Sequence, residues 1–272
     1  MPSAVTLQHP EGPYVEVRPE DVEGCLERGF KRVTGIDAHI PDINHNFVHT
    51  RIDRHVGRHA LVIGNGPSVR GIPPQLMQAF VKKHDALVIG TNNMFDLWGT
   101  EEPCPCHYWV ILDKVFWWNN KNKIHAARQW MKEHHHVAPI MVFHFDPQQL
   151  MIYERIVVDT AHDAMFHPKY EANVYPHGES SGVAAINHAL HMGCSTLYLT
   201  GHDLKLDDQG NTHGHGVRDE ERRGYTQGEG MLPGYEVCAM WARQLGRKVW
   251  NMSPISVIPS FPFTTVGTLM KG

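Results

Sequence analysis

The chain has 272 residues, enough for one α/β domain of ordinary size with a small addition, but little for two full domains. Hydrophobic residues make up 42% and charged residues 20%, which excludes an intrinsically disordered chain. The net charge of -4, without a basic run, argues against broad binding to a nucleic-acid backbone. Five scattered cysteines form no disulfide framework and indicate reduced thiols.

The segment from Met1 to Val15 lacks the basic start and the apolar stretch of a signal peptide. No window of the sequence reaches the length of a membrane-spanning helix. We therefore expect a cytoplasmic protein without a membrane span. Histidine is the compositional outlier, with 21 residues. The run His134 to His136 is interpreted as a solvated helix end, because three adjacent positions do not easily converge on one metal ion.

The first 57 residues are predicted to form a small N-terminal module and a linker. Alternation over residues 14–17 predicts a short strand, and Pro19 predicts the start of a helix that Gly29 ends. Residues 34–57 are rich in polar and turn-forming types, which is typical of a linker or wrapping loop. Residues 58–272 are then expected to form the nucleotide-binding catalytic domain.

From residue 58 onward, short apolar runs alternate with segments of helical spacing. Continuous apolar strands separated by helices predict a mostly parallel sheet covered on both faces, a Rossmann-like α/β fold. Residues 146–175 are expected to be irregular. The predicted strands are residues 59–63, 86–90, 107–112, 140–143, 197–201 and 249–251, and the predicted helices are residues 73–83, 182–192 and 234–245.

Ligands of such sheets bind beyond the carboxyl ends of the strands, so the residues after each apolar run are candidates for a site. The first of these turns contains Gly64, Asn65, Gly66 and Ser68. Small residues let the backbone approach a phosphate or ribose, and Asn and Ser can bond sugar hydroxyls or a base edge. The third glycine of a dinucleotide fingerprint is missing, so a structural turn and a ligand loop both remain open.

Five short motifs follow one another in a recognisable order. This succession resembles the bacterial sialyltransferases that use CMP-sialic acid, and the wider family of motility-associated-factor proteins and archaeal hydroxymethylpterin pyrophosphokinases. The resemblance covers residues 58–263, and the N-terminal module resembles those of phage-borne relatives, which implies a bacterial or phage-infected host cytoplasm. The motifs are Gly64-Asn65-Gly66-Pro67-Ser68, Thr91-Asn92, Ser180-Ser181-Gly182-Val183, the run from Leu197 to Asp203, and Asn251-Met252-Ser253-Pro254.

The resemblance implies that Asn65, Asn92 and Ser181 surround a nucleotide and that Ser253 lies near its phosphate or sugar. With the neighbouring turn residues Gly64, Gly66, Ser68, Gly182 and Asp203, they form the predicted nucleotide-binding set. The sequence departs from the sialyltransferases in one respect. It has no histidine after His215 and no clear counterpart of their paired tyrosines, for which Tyr225 is a distant substitute.

The resulting hypothesis is a glycosyltransferase-like enzyme that transfers a sugar from a CMP- or other pyrimidine-linked donor to a hydroxyl acceptor. Transfer needs a general base, for which His202, His213, His215 and Glu229 are the candidates. No cofactor is required. The acceptor is open; DNA is disfavoured by the acidic net charge, and both a monomer and a homo-oligomer remain open.

Two other hypotheses compete with this one. In a Mg²⁺-dependent pyrophosphokinase or phosphotransferase, Asp113 and Asp203 would hold the metal at two strand ends. In a catalytically inactive phage protein, the nucleotide site would bind without turnover.

Overall fold

The computed structural model describes residues 5–8, 14–17, 22–27, 31–32, 54–96, 105–136, 139–143, 155–157, 180–211, 213 and 227–271. Near the N-terminus, strands β1 (Val5–Gln8), β2 (Tyr14–Val17) and β3 (Lys31–Arg32) form an antiparallel sheet in the order β2-β1-β3. Helix α1 (Val22–Glu27) lies between β2 and β3 in sequence. The predicted strand at residues 14–17 and the helix after it are therefore confirmed, whereas β1 and β3 were not predicted.

The larger sheet has seven strands, and every neighbouring pair in it is parallel. Its order is β10-β9-β4-β5-β6-β7-β8. The Rossmann-like prediction is confirmed, and β8 is an additional strand inside the region expected to be irregular. The strands are β4 (His59–Ile63), β5 (Leu87–Thr91), β6 (Tyr108–Ile111), β7 (Ile140–Phe143), β8 (Arg155–Val157), β9 (Thr196–Thr200) and β10 (Lys248–Asn251).

This strand order contains one reversal of direction. From β4 the chain adds strands on one side as far as β8, and it then returns to place β9 on the other side of β4. The carboxyl ends of β4 and β9 therefore flank the topological switch point, where open α/β sheets form their ligand crevice. Ile63 and Thr200 are paired in register there, immediately before the turns that contain the predicted site.

Helices cover both faces of the sheet. On one face, α2 (Pro74–His84), α3 (Lys114–His135) and α6 (Val266–Lys271) share a core that includes Phe80, Trp109 and Ile124. On the other, α4 (Ser181–His191) and α5 (Gln227–Gln244) pack with Val62 and Leu199. The side chains of β4, β5, β6, β7 and β9 thus alternate between two apolar layers, which explains the apolar runs in the sequence.

The predicted helix ends agree with the structure except at α5. That helix starts at Gln227 rather than near residue 234, and it accommodates Pro233 inside. The histidine run does form a helix end: α3 stops at His135, and His136 adopts a left-handed conformation with φ 55°. Within the described residues, no helix has the length and apolar character needed to cross a membrane.

Candidate functional site

The turns after β4 and β9 touch each other at the switch point. The Gly64 N–H donates to the Thr200 carbonyl at 2.8 Å, and the Gly66 N–H donates to the Gly201 carbonyl at 2.7 Å. A Cβ atom on Gly64 would overlap the Gly201 carbonyl oxygen, and Gly201 itself has φ 70°. Close backbone contact therefore accounts for both glycines, so the turn has a structural role whatever ligand it binds.

Asp203 ties these two turns together. Its carboxylate accepts a hydrogen bond from the Ser68 N–H at 2.7 Å and another from the Ser68 hydroxyl at 2.6 Å. Burial raises the pKa of Asp203, and hydrogen bonds from Ser68 and Ser253 oppose the rise. A Cβ atom on Gly66 would overlap the same carboxylate. Gly66, Ser68 and Asp203, all predicted site residues, thus lie in contact. Both carboxylate oxygens of Asp203 already accept hydrogen bonds from Ser68.

The loop after β10 is hydrogen-bonded to the turn after β9. The buried hydroxyl of Ser253 accepts a hydrogen bond from the His202 N–H at 3.1 Å. The Ser253 N–H in turn donates to Asn251 Oδ1 at 3.0 Å, and the Ser256 hydroxyl donates to the His202 carbonyl at 2.7 Å. The carboxyl ends of β4, β9 and β10 therefore form one connected edge.

A second pair of predicted residues meets at the end of β5. The Ser181 hydroxyl donates to Asn92 Oδ1 at 3.2 Å, although the two residues are 89 positions apart in sequence. Asn92 has φ 37°, and its carbonyl accepts a hydrogen bond from Trp109 Nε1 at 3.0 Å. Ser180 caps α4 by accepting the Gly182 N–H at 3.2 Å. The N-terminus of α4 is thus held over the end of β5, beside the switch point.

Asn65 differs from its neighbours in the same turn. Its side chain is half-buried, yet its amide oxygen is shielded from solvent and has no hydrogen-bond partner among the described residues. A buried acceptor without a donor is costly in a folded protein. A ligand donor group that reached the Asn65 oxygen would supply the missing hydrogen bond.

The proposed bases are placed very differently. His202 is only 2% exposed, and its Nδ1 lies 3.1 Å from the Tyr235 hydroxyl. Burial lowers the pKa of His202 to about 4, against a smaller opposing effect of the nearby Val62 backbone. The ring is thus neutral at physiological pH and faces the interior, so an acceptor hydroxyl does not reach it.

The other three base candidates lie on the segment that follows. His213 is half-buried. His215 lies outside the described residues, and Glu229 belongs to α5 with a side chain that is also outside them.

Asp113 and Asp203 do not come together. Asp113 is exposed and caps α3, with Oδ1 accepting the Phe116 N–H at 2.9 Å. Because β4 and β5 lie between β9 and β6, the two strand ends are three spacings apart, or about 14 Å at ~4.8 Å per spacing. One Mg²⁺ ion cannot bind both carboxylates at that separation. Among the described residues, no group of three or more His, Cys, Asp and Glu side chains could hold a metal ion.

Tyr235 is the site residue that sequence reasoning missed. It lies on α5, is 2% exposed, and contacts both His202 and Ser180 through its hydroxyl. The helix prediction covered this position, but nothing in the local pattern distinguishes this tyrosine from a core residue. Its partners are brought near only by the topology of the sheet.

Comparison with solved structures identifies related folds. The MAf glycosyltransferase from Magnetospirillum magneticum AMB-1 superposes with a TM-score of 0.51 at 14% identity, covering 83% of this chain and 38% of that one. The sialyltransferase CstII from Campylobacter jejuni, solved in complex with the substrate analogue CMP-3FNeuAc, gives 0.41 at 14% identity, covering 76% and 85%. No protein-family model matches the sequence, and no curated protein does.

The first of these likenesses shows that the two chains share a fold. This chain spans about 38% of the length of the MAf glycosyltransferase that it resembles. The expected Rossmann-like fold is therefore shared with this glycosyltransferase, while activity has to be argued from the site itself.

Proposed function

We propose that this chain is a glycosyltransferase-like enzyme that binds a nucleotide-activated sugar, CMP- or another pyrimidine-linked donor, at the carboxyl edge of its sheet. The observation that carries the proposal is the buried amide oxygen of Asn65 at the switch point, which has no hydrogen-bond partner among the described residues. It offers an acceptor to a ribose hydroxyl or to an exocyclic amino group of a base.

The N-terminus of α4 supports binding of the donor phosphate. This helix has 11 residues, and the positive end of its dipole points to the same edge of the sheet as Asn65. Ser181 and Asn92 lie at that end and supply a hydroxyl and an amide group. Backbone N–H groups of a first helical turn are suited to phosphate, so this end is where the leaving nucleotide would be stabilised.

The proposed reaction is a single displacement. The acceptor hydroxyl attacks the anomeric carbon, the bond from that carbon to the phosphate oxygen breaks, and the nucleotide leaves with the electron pair. A base takes the hydroxyl proton. Because His202 is buried and neutral, this role falls to His213, His215 or Glu229, and His202 acts on the protein rather than on the substrate.

Alanine variants of the paired residues test the donor site. Loss of one hydrogen bond to a ligand weakens binding by about 3- to 10-fold, so we expect Asn92→Ala and Ser181→Ala each to raise the Kd for a CMP-sugar by that factor. Titration calorimetry measures the effect. Ser260→Ala serves as the control, because that half-buried serine lies in the loop before α6 and its side chain forms no hydrogen bond with another described residue.

The outcomes separate the competing functions. Unchanged affinity in both variants, with the fold intact by circular dichroism, would remove the pair from the donor site. Donor binding without sugar transfer to any acceptor would favour the inactive nucleotide-binding protein. ATP-dependent release of AMP that needs Mg²⁺ would favour the pyrophosphokinase instead.

A further inference from the structure

A buried tyrosine–histidine pair lies directly beneath the N-terminus of α4. The Tyr235 hydroxyl is 3.1 Å from His202 Nδ1 and 3.5 Å from the Ser180 hydroxyl, and the two rings meet edge to face at 5.8 Å. Both side chains are 2% exposed. Neither can touch a bound donor, yet each contacts a residue next to the donor site.

Gly182 shows how tightly the helix lies on this pair. A Cβ atom at Gly182 would be 2.6 Å from the Tyr235 hydroxyl and 2.9 Å from His202 Cε1. Real Cβ contacts are never so short, so any side chain here would push α4 away from the pair. Ser180 and Ser181 immediately precede this glycine, and their position therefore depends on the pair below.

The backbone of His202 is held by the loop after β10. Its N–H donates to the Ser253 hydroxyl and its carbonyl accepts from Ser256. His202 thus links the turn after β9 to the loop after β10 through its backbone, and to α5 through its side-chain contact with Tyr235. The neutral ring carries a single N–H. Its Nδ1 contacts the Tyr235 hydroxyl, and its Nε2 is buried without a hydrogen-bond partner among the described residues.

We infer that Tyr235 and His202 are positioning residues, which hold Ser181 against Asn92 and so set the spacing of the donor site. The inference rests on the proposed function for its effect on affinity. Its structural part, the placement of Ser181 against Asn92, stands without any ligand. The coupling runs from the Tyr235 hydroxyl through Ser180, the N-cap of α4, to the first turn of the helix.

The chain provides a matched control for the tyrosine. Tyr198, which is 4% exposed, also contacts a histidine: its hydroxyl is 3.2 Å from His59 Nδ1. His59 begins β4, so this second pair lies toward the amino edge of the sheet, at the other end from the donor site. Tyr198→Phe and Tyr235→Phe therefore delete the same atom from similar pairs at opposite edges.

The test uses NMR of the free protein and calorimetry with a CMP-sugar. In Tyr235→Phe we expect shifts of the Asn92 side-chain amide and the Ser181 backbone signals, and a Kd raised by about 3- to 10-fold. Tyr198→Phe should leave both readouts at the wild-type values.

The inference is overturned if the Asn92 and Ser181 signals of Tyr235→Phe match the wild type, or if Tyr198→Phe shifts them equally. Failure of the wild type to bind any donor would instead refute the proposed function, while the NMR comparison still decides the inference.

Discussion

Replacing Gly64 with alanine is expected to destabilise the whole domain and to abolish ordered ligand binding at the switch point. The new methyl group would overlap the carbonyl oxygen of Gly201 and lie 2.9 Å from its carbonyl carbon. Both neighbours are backbone atoms, so β4 and β9 must move apart to accommodate it. Overpacking of this kind costs about 1–3 kcal/mol, and displacement of the strands also breaks the register that places Asn65.

Gly71→Ala provides the comparison, since a Cβ atom there meets nothing within 4 Å. Thermal unfolding followed by circular dichroism measures both variants. The expected decrease for Gly64→Ala is roughly 2–12 °C in Tm, given ~2–4 °C per kcal/mol for a domain of this size, with little change for Gly71→Ala. Equal Tm values for Gly64→Ala and the wild type would show that the two turns are not in close contact.

A loss of stability on mild acidification is the second large effect that we expect. Burial lowers the pKa of His202 and that of His191 to about 4, whereas both rise to the ordinary value of 6.5 on unfolding. As the pH falls through 6.5, His202 and His191 become protonated in the unfolded chain. In the folded protein they become protonated only near pH 4. The free energy of unfolding therefore falls between pH 6.5 and 4, and it is higher above this window.

The size of this decrease in the free energy of unfolding follows from the linkage between protonation and folding. Each of the two histidines removes about 2 kcal/mol at pH 5, since ~1.4 kcal/mol is lost per pH unit below 6.5. Asp203 acts in the opposite direction, because its pKa is raised and its protonation at low pH favours the folded state.

Urea unfolding at pH 7.5 and pH 5 measures the difference in the free energy of unfolding. His202→Gln should reduce the pH dependence, and His134→Gln, on the exposed end of α3, should leave it unchanged. A pH dependence that is the same in all three proteins would contradict this origin.

The sheet could be predicted from the sequence because most of its strands are buried on both faces. A run such as residues 60–63 is apolar throughout, and a short run of this kind between turn residues is typical of a strand between two helical layers. The strand β8 was missed because it has only three residues, and the apolar run Ile156 to Val158 is too short to indicate a strand by itself. Of the long helix α3, only the end at the histidine run was predicted. Its start has a capping residue, Asp113, which the pyrophosphokinase hypothesis assigned to metal binding because it follows a strand.

Parts of the candidate site depend on contacts that no local pattern encodes. The family resemblance and the topology of a parallel sheet placed Asn92 and Ser181 at one edge, but their hydrogen bond to each other was not predicted. The burial of His202 beneath α4, and its contact with Tyr235, were not. They depend on how α5 crosses the face of the sheet, and a histidine after a strand has the same sequence signature whether it faces a ligand or the core.

A crystal structure with a bound CMP-sugar tests the central claim most directly. The account predicts that the nucleotide lies at the carboxyl edge between β4 and the N-terminus of α4, with a donor group of the ligand at hydrogen-bond distance, about 3 Å, from Asn65 Oδ1. Asn92 and Ser181 should contact its phosphate or sugar. A nucleotide bound at another edge of the sheet, or a folded protein that binds no CMP-, UDP- or GDP-sugar, would contradict it.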